Sequence, residues 1–166
     1  MHEKSLEIMS SLLDKAQLPF EHDRRLSVLD VGSYDVNGSL RPLILKRGMS
    51  YIGLDIRPGK GVDVVSADPY YWPYANNIFD VVVCANMLHN CEHPWRLLPE
   101  MARVLRTGGL LAVVTIWQHA INEHPKDYWR FTRDGLYVLF DSAGRMGDII
   151  CDMDAEGNAW GSAIKW

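Results

Sequence analysis

Apolar and polar positions alternate along this chain in blocks whose period changes from one block to the next. Leu6, Met9, Leu13 and Ala16 recur at three- and four-residue spacing, with Glu3, Lys4, Glu7, Asp14 and Lys15 between them. That spacing predicts an amphipathic helix, ended by Pro19. Leu26–Val31 is an apolar run of strand length. Gly38-Ser39 then opens a helix, with Pro42 in its first turn and Gly48 at its end. Tyr51–Ile56 predicts a second strand, 57–61 a turn, and Val62–Val65 a short third strand. Asp68–Asn77 is an aromatic loop broken by prolines. Phe79–Ala85 is apolar almost throughout, as expected of a strand covered on both faces. Leu98, Met101, Val104 and Leu105 mark one face of a helix that starts near Arg96, with Pro99 in its first turn and Gly108-Gly109 at its end. Leu110–Trp117 predicts the next strand and 118–131 a polar, aromatic loop. Thr132 caps a helix carrying Leu136, Leu139, Phe140 and Ala143, closed by Gly144. Residues 148–153 and 159–165 flank a turn and read as a terminal hairpin.

Strands alternating with helices, then a hairpin, predict one α/β domain over residues 1–166. Its sheet is doubly wound, Rossmann-like and mostly parallel, with an antiparallel C-terminal hairpin. The N-terminal helix, within 1–20, is expected to pack on the sheet or over the ligand site. In such sheets ligands bind beyond the carboxyl ends of the strands, near the point where strand order reverses. Asp30-Val-Gly32, Asp55, Asp68, Asn86-Met87 and Trp117-Gln118-His119 lie at or just after strand ends, so they are expected to converge.

Composition narrows the partners. Hydrophobic residues make up 48% and charged residues 23%, a globular balance that argues against disorder. The net charge of −4 argues against a general nucleic-acid binder. Cys84, Cys91 and Cys151 form no CxxC pair and point to reduced thiols. The N-terminus lacks a signal-peptide pattern, and the apolar run from Leu110 to Trp117 is too short to span a bilayer. A cytoplasmic protein with no membrane association is expected. His89-Asn-Cys91-Glu-His93 does not have the spacing of a usual metal motif, so no metal is expected.

The loop after the first strand carries the chemistry. A glycine there, Gly32, allows close approach to the backbone. Asp55, 23 positions later and at the end of the second strand, suits a ribose diol because a carboxylate accepts two hydroxyl bonds. Asp68 suits an exocyclic amine, with Pro69 and Tyr70 against the base. The dinucleotide pattern GxGxxG is missing from Gly32-Ser-Tyr-Asp-Val-Asn-Gly38, and Asp35 would repel a pyrophosphate. A cofactor with a ribose and a base but no phosphate fits better. S-adenosylmethionine (SAM) is one, and its sulfonium makes Asp30 and Asp35 electrostatically sensible.

Four pieces, in order, carry a resemblance: Val28-Leu-Asp-Val-Gly-Ser-Tyr-Asp-Val-Asn-Gly-Ser39, Tyr51-Ile-Gly-Leu-Asp-Ile-Arg-Pro-Gly59, Phe79-Asp-Val-Val-Val-Cys-Ala-Asn-Met-Leu88 and Arg103-Val-Leu-Arg-Thr-Gly-Gly-Leu-Leu111. From Leu26 onward the chain resembles a small class I SAM-dependent methyltransferase of the type 11 kind. The resemblance implies class I methyltransferase topology, SAM as cofactor and S-adenosylhomocysteine (SAH) as product. It places Asp30, Gly32, Ser33, Tyr34 and Gly38 under the methionine part, Asp55 and Ile56 at the ribose, Asp68 and Pro69 at the adenine, and Asn86 and Met87 along the cofactor. The segment from His119 to Arg130 is similar to one that faces the acceptor in a branch of these enzymes. The chain departs from the LEH-like motif after the fourth strand, where it has Leu88-His89-Asn90.

Methyl transfer from a sulfonium is an in-line displacement that needs mostly alignment and exclusion of water. A base is required only where the acceptor must lose a proton early. His119, His124 and Asp127, with His89, are the candidates for that role; His89, Tyr128 and Arg130 are candidates for holding the acceptor. Each has a plainer alternative: Asp68 as a turn acid before Pro69, and His119, His124 and Arg130 as braces of a long loop. The expected function is methyl transfer to an O or N atom of a small molecule or saccharide, by a monomer or homodimer. The alternatives are a SAM- or SAH-binding subunit without catalysis and an NAD-type oxidoreductase, the latter disfavoured by the loop.

Overall fold

Strand β4 (Phe79–Ala85) is buried at every position and forms the spine of a seven-stranded sheet. In a computed structural model, the structure describes residues 3–16, 18, 24–121 and 126–166. The other strands are β1 (Ser27–Val31), β2 (Ser50–Asp55), β3 (Val64–Val65), β5 (Leu105–Ile116), β6 (Met146–Met153) and β7 (Asn158–Lys165). Their order is β3-β2-β1-β4-β5-β7-β6. The first five run parallel, and β7 is antiparallel to both of its neighbours. The doubly wound sheet and its terminal hairpin are as expected.

The period-two alternation of β4 sorts its side chains to two cores. Val81 and Val83 join Ile8, Met9, Leu12 and Leu13 of α1 (Glu3–Lys15) and Ile44 of α2 (Arg41–Lys46). Val82 and Cys84 join Leu98 and Met101 of α3 (Pro94–Val104) and Leu136 and Phe140 of α4 (Arg133–Ser142). Each fully buried aliphatic or aromatic side chain contributes about 2 kcal/mol. Thr132 caps α4 as expected, accepting from Gly135 N at 3.2 Å. At the amino end of the sheet, Asp80 accepts from Arg24, Ser27 and Arg106, which leaves the carboxyl end open for a ligand.

Two expectations about α3 are corrected. It starts at Pro94, a residue that needs no amide partner in a first turn, so Pro99 falls in the second turn and offers no amide to the Trp95 carbonyl. It ends at Val104, because Leu105 turns extended (φ −73°, ψ 138°) to pair with Phe79. Gly108-Gly109 therefore lies inside β5. There the strand bulges between its pairings of Leu105 with Phe79 and Leu110 with Val81, and Gly108 takes φ +79°. The third strand is shorter than expected and β6 starts earlier; Pro19 lies outside the described residues. No helix among the described residues is long and apolar enough to cross a membrane.

Candidate functional site

A cavity of about 470 Å³ opens over the carboxyl ends of β1, β2, β4 and β5. The sheet order reverses between β1 and β4, so the cavity sits where an open α/β sheet places ligands.

The β1 loop forms one wall. Gly32 and Ser33 donate their amides to Leu54 O, which pins the loop to β2. Gly32 has φ +79°, and a Cβ there would lie 2.4 Å from Met87 Cγ. Its freedom is thus required by Met87, itself a lining residue, as much as by any ligand. Asp30 is 3% exposed and accepts from Tyr51 Oη at 2.6 Å. Burial pushes its carboxyl up to about 7, against the opposing pull of the Tyr51 bond and Arg41.

Asp35 does not line the cavity. It accepts from Gly38 N at 2.6 Å and pairs with Lys60 at 2.8 Å, and these two hold its carboxyl below the usual range. It closes the loop on Lys60 and Gly38, away from the cavity.

Asp55 ends β2 on the cavity wall. Tyr34 N donates to its Oδ2 at 3.1 Å and Arg57 N to its Oδ1 at 3.2 Å. Two backbone amides fix the carboxylate while each oxygen keeps a lone pair for a ligand hydroxyl. Ile56 and Pro69 also line the cavity. Asp68 does not: its Oδ1 accepts from Tyr70 N at 2.8 Å, closing the turn before the aromatic loop. Trp72 reaches the wall instead, 2% exposed, its amide held by the buried Glu100 at 2.6 Å.

Asn86 and Met87 follow β4 into the wall. Asn86, at φ 55°, donates to Ser5 Oγ at 2.9 Å, so α1 packs on the sheet and reaches the rim of the site. His89 is 4% exposed and lines the cavity. Burial pushes its imidazole down to about 4, which keeps the ring neutral at ordinary pH, and its Nδ1 has no hydrogen-bond partner among the described residues.

Residues 126–130, beyond β5, pack against this wall. Trp129 Nε1 donates to Cys91 O at 2.9 Å, and the backbone of His89 holds the neighbouring amides. His119, Lys126 and Tyr128 line the cavity. Asp127 and Arg130 do not. Asp127 accepts a two-pronged ion pair from Arg130, 2.8 Å on one side, and Arg130 also donates to His119 O and Ala120 O. In this arrangement the ion pair braces the segment, and neither side chain reaches the cavity wall. His124 lies outside the described residues. Sequence reasoning missed Arg57, Lys126 and Trp72. Arg57 had a signal, standing two residues beyond Asp55 at a strand end.

The fold is that of class I SAM-dependent methyltransferases. A SAM-dependent methyltransferase from Aquifex aeolicus superposes with TM-score 0.67 at 16% identity, covering 100% of both chains. A 1,6-didemethyltoxoflavin-N1-methyltransferase from Burkholderia thailandensis, solved with 1,6-didemethyltoxoflavin and SAH, gives 0.70 at 17%, covering 98% of this chain and 77% of that one.

Residues 29–113 match the sequence model of the methyltransferase domain, type 11, and the chain belongs to that family. Among its relatives, an uncharacterized methyltransferase of Mycobacterium sp. (strain JLS) is 32% identical over 108 residues, 59% of this chain and 42% of that protein. A demethylmenaquinone methyltransferase of Thermobifida fusca is 38% identical over 69 residues, 40% of this chain and 29% of that one. The chain spans less than half the length of these relatives.

Proposed function

We propose that this chain is a SAM-dependent methyltransferase whose cavity holds SAM along the β1, β2 and β4 ends and the acceptor beneath the segment after β5. The observation that carries the reading is Asp55, oriented by two amides on the wall that also presents Asp30 and the Gly32 loop. That wall fits a ribose and a positive group, and the loop lacks the glycines that cradle a pyrophosphate.

When bound, SAM supplies a methyl group made electrophilic by a positive sulfur. The chain's own residues supply placement. Asp55 takes the ribose hydroxyls; Gly32, Ser33, Tyr34 and Gly38 form the floor under the amino-acid part; Asn86 and Met87 close the side. Ile56 and Pro69 flank the base, and Trp72 gives that end an apolar lining. His89, His119 and Tyr128 face the acceptor, Tyr128 with a hydroxyl for a polar substituent. The neutral ring of His89, made a weak base by burial, is suited to accept a hydrogen bond from an acceptor hydroxyl or amine on a small molecule or saccharide.

Incubation with SAM and a panel of hydroxyl- and amine-bearing small molecules and saccharides, reading SAH released, tests this. Acceptor-dependent release is expected. A protein that binds SAH tightly yet releases none with any acceptor class would support the non-catalytic alternative.

A further inference from the structure

Tyr51 lies in β2, is 9% exposed and is not a lining residue, yet its hydroxyl donates to Asp30 Oδ2 at 2.6 Å. Its ring is held from behind: the Arg41 guanidinium stacks 4.2 Å from the ring centroid. Arg41 in turn pairs with Asp63 at 2.6 Å, and the same Asp63 oxygen accepts from Gly53 N at 2.7 Å. The Tyr51 hydroxyl therefore has a fixed position. It engages one carboxylate oxygen of Asp30, and among the described residues no side chain donates to the other.

We propose that Tyr51 is a positioning residue, whose hydroxyl aims the Asp30 carboxylate at the primary ammonium on the amino-acid end of the cofactor. This rests on the SAM reading of the cavity. It assigns Asp30 to the ammonium, a charge shared by SAM and SAH, and not to the sulfonium, which SAH lacks.

Capture has a proton balance. The groups facing Asp30 are Tyr51 and Asp55 from β2, Arg41 from α2 and the Cys84 thiol from β4. Burial outweighs the help of Tyr51 and Arg41, so much of Asp30 is protonated near neutral pH. The exchange is Asp30–COOH plus ligand–NH₃⁺ going to the carboxylate–ammonium pair plus one proton released to buffer. No bond to carbon changes. SAH affinity then rises with pH up to the Asp30 pKa and levels off above it. Because the Tyr51 bond lowers that pKa, removing the hydroxyl moves the rise to higher pH.

The test is calorimetry of the full chain with SAH and with 5′-methylthioadenosine, which keeps the nucleoside and thioether but lacks the ammonium. Wild type is expected to release about one proton per SAH near pH 6 and much less near pH 8, with none for methylthioadenosine. Tyr51→Phe fills the same space and is expected to weaken SAH about tenfold, with the pH profile shifted upward and methylthioadenosine affinity within about twofold. Equal losses for both ligands, or an unchanged SAH profile, overturn the proposal. Should Tyr51→Phe fail to fold, the wild-type comparison decides: parallel pH profiles for the two ligands overturn it. A wild type that binds neither ligand overturns the SAM reading itself, and the proposal with it.

Discussion

The amide of Tyr128 donates to the carbonyl of His89 at 2.9 Å, and that of Trp129 to the same oxygen at 3.2 Å. These bonds join the segment after β5 to the turn after β4, so the acceptor side of the cavity has two walls fixed to each other. The stability of that junction bears on function.

The Asp127–Arg130 ion pair is the brace of that segment. The Asp127 side chain is 1% exposed and Arg130 27%, so the two are not equivalent. Arg130→Ala removes a charge partner of a buried carboxylate and is expected to cost about 3 kcal/mol in urea unfolding. Asp127→Asn leaves a partly solvated guanidinium and is expected to cost about 1 kcal/mol. An Asp127→Asn protein with unchanged stability and abolished turnover would restore Asp127 as a catalytic residue.

Gly32 and Met87 make a second pair that mutation can read. Gly32→Ala meets Met87 Cγ at 2.4 Å in a left-handed backbone, an expected loss of about 2–4 kcal/mol. Met87→Ala is expected to recover only part of it, since Met87 Cβ is itself 2.6 Å away. Paired thermal melts of the single and double variants measure this, and a neutral Gly32→Ala would contradict it.

The Asp30 carboxyl makes stability depend on pH. Its folded pKa, about 7, lies above the ordinary carboxylate value, so between pH ~4 and ~7 the folded state binds more protons than the unfolded. Its contribution to stability is complete below the unfolded pKa and is lost as pH rises through the folded one. Asp30→Asn removes the loss. Relative to wild type, it is expected to gain on the order of a few kcal/mol between pH 4 and pH 8 in chemical denaturation. Parallel pH curves would show that Asp30 is ionised throughout.

The positions of strand ends were legible because β-strand periods and buried runs are strong signals, and Asp30, Asp55 and Asn86 came with them. What was not legible was the direction of a side chain at a turn. Asp68 and Asp35 look like Asp55 in sequence, but each closes its own turn on a backbone amide, a choice worth little energy and set by local geometry. The Asp127–Arg130 pair had a signal, opposite charges three apart, that competes with any reading of either residue as free chemistry. The onset of α3 was hidden by two prolines five residues apart, either of which suits a first turn. Tyr51 was invisible as a site residue because it acts from within a strand, through Asp30.

In the proposed reading, Asp55 and its loop hold the ribose of SAM. Calorimetric titration of wild type and Asp55→Ala with SAH, with NADH as the control, tests it most directly. One SAH per wild-type chain is expected, with affinity about 10- to 100-fold weaker in a folded Asp55→Ala protein and no NADH binding. Wild-type affinity retained by Asp55→Ala, or NADH bound in place of SAH, would contradict it.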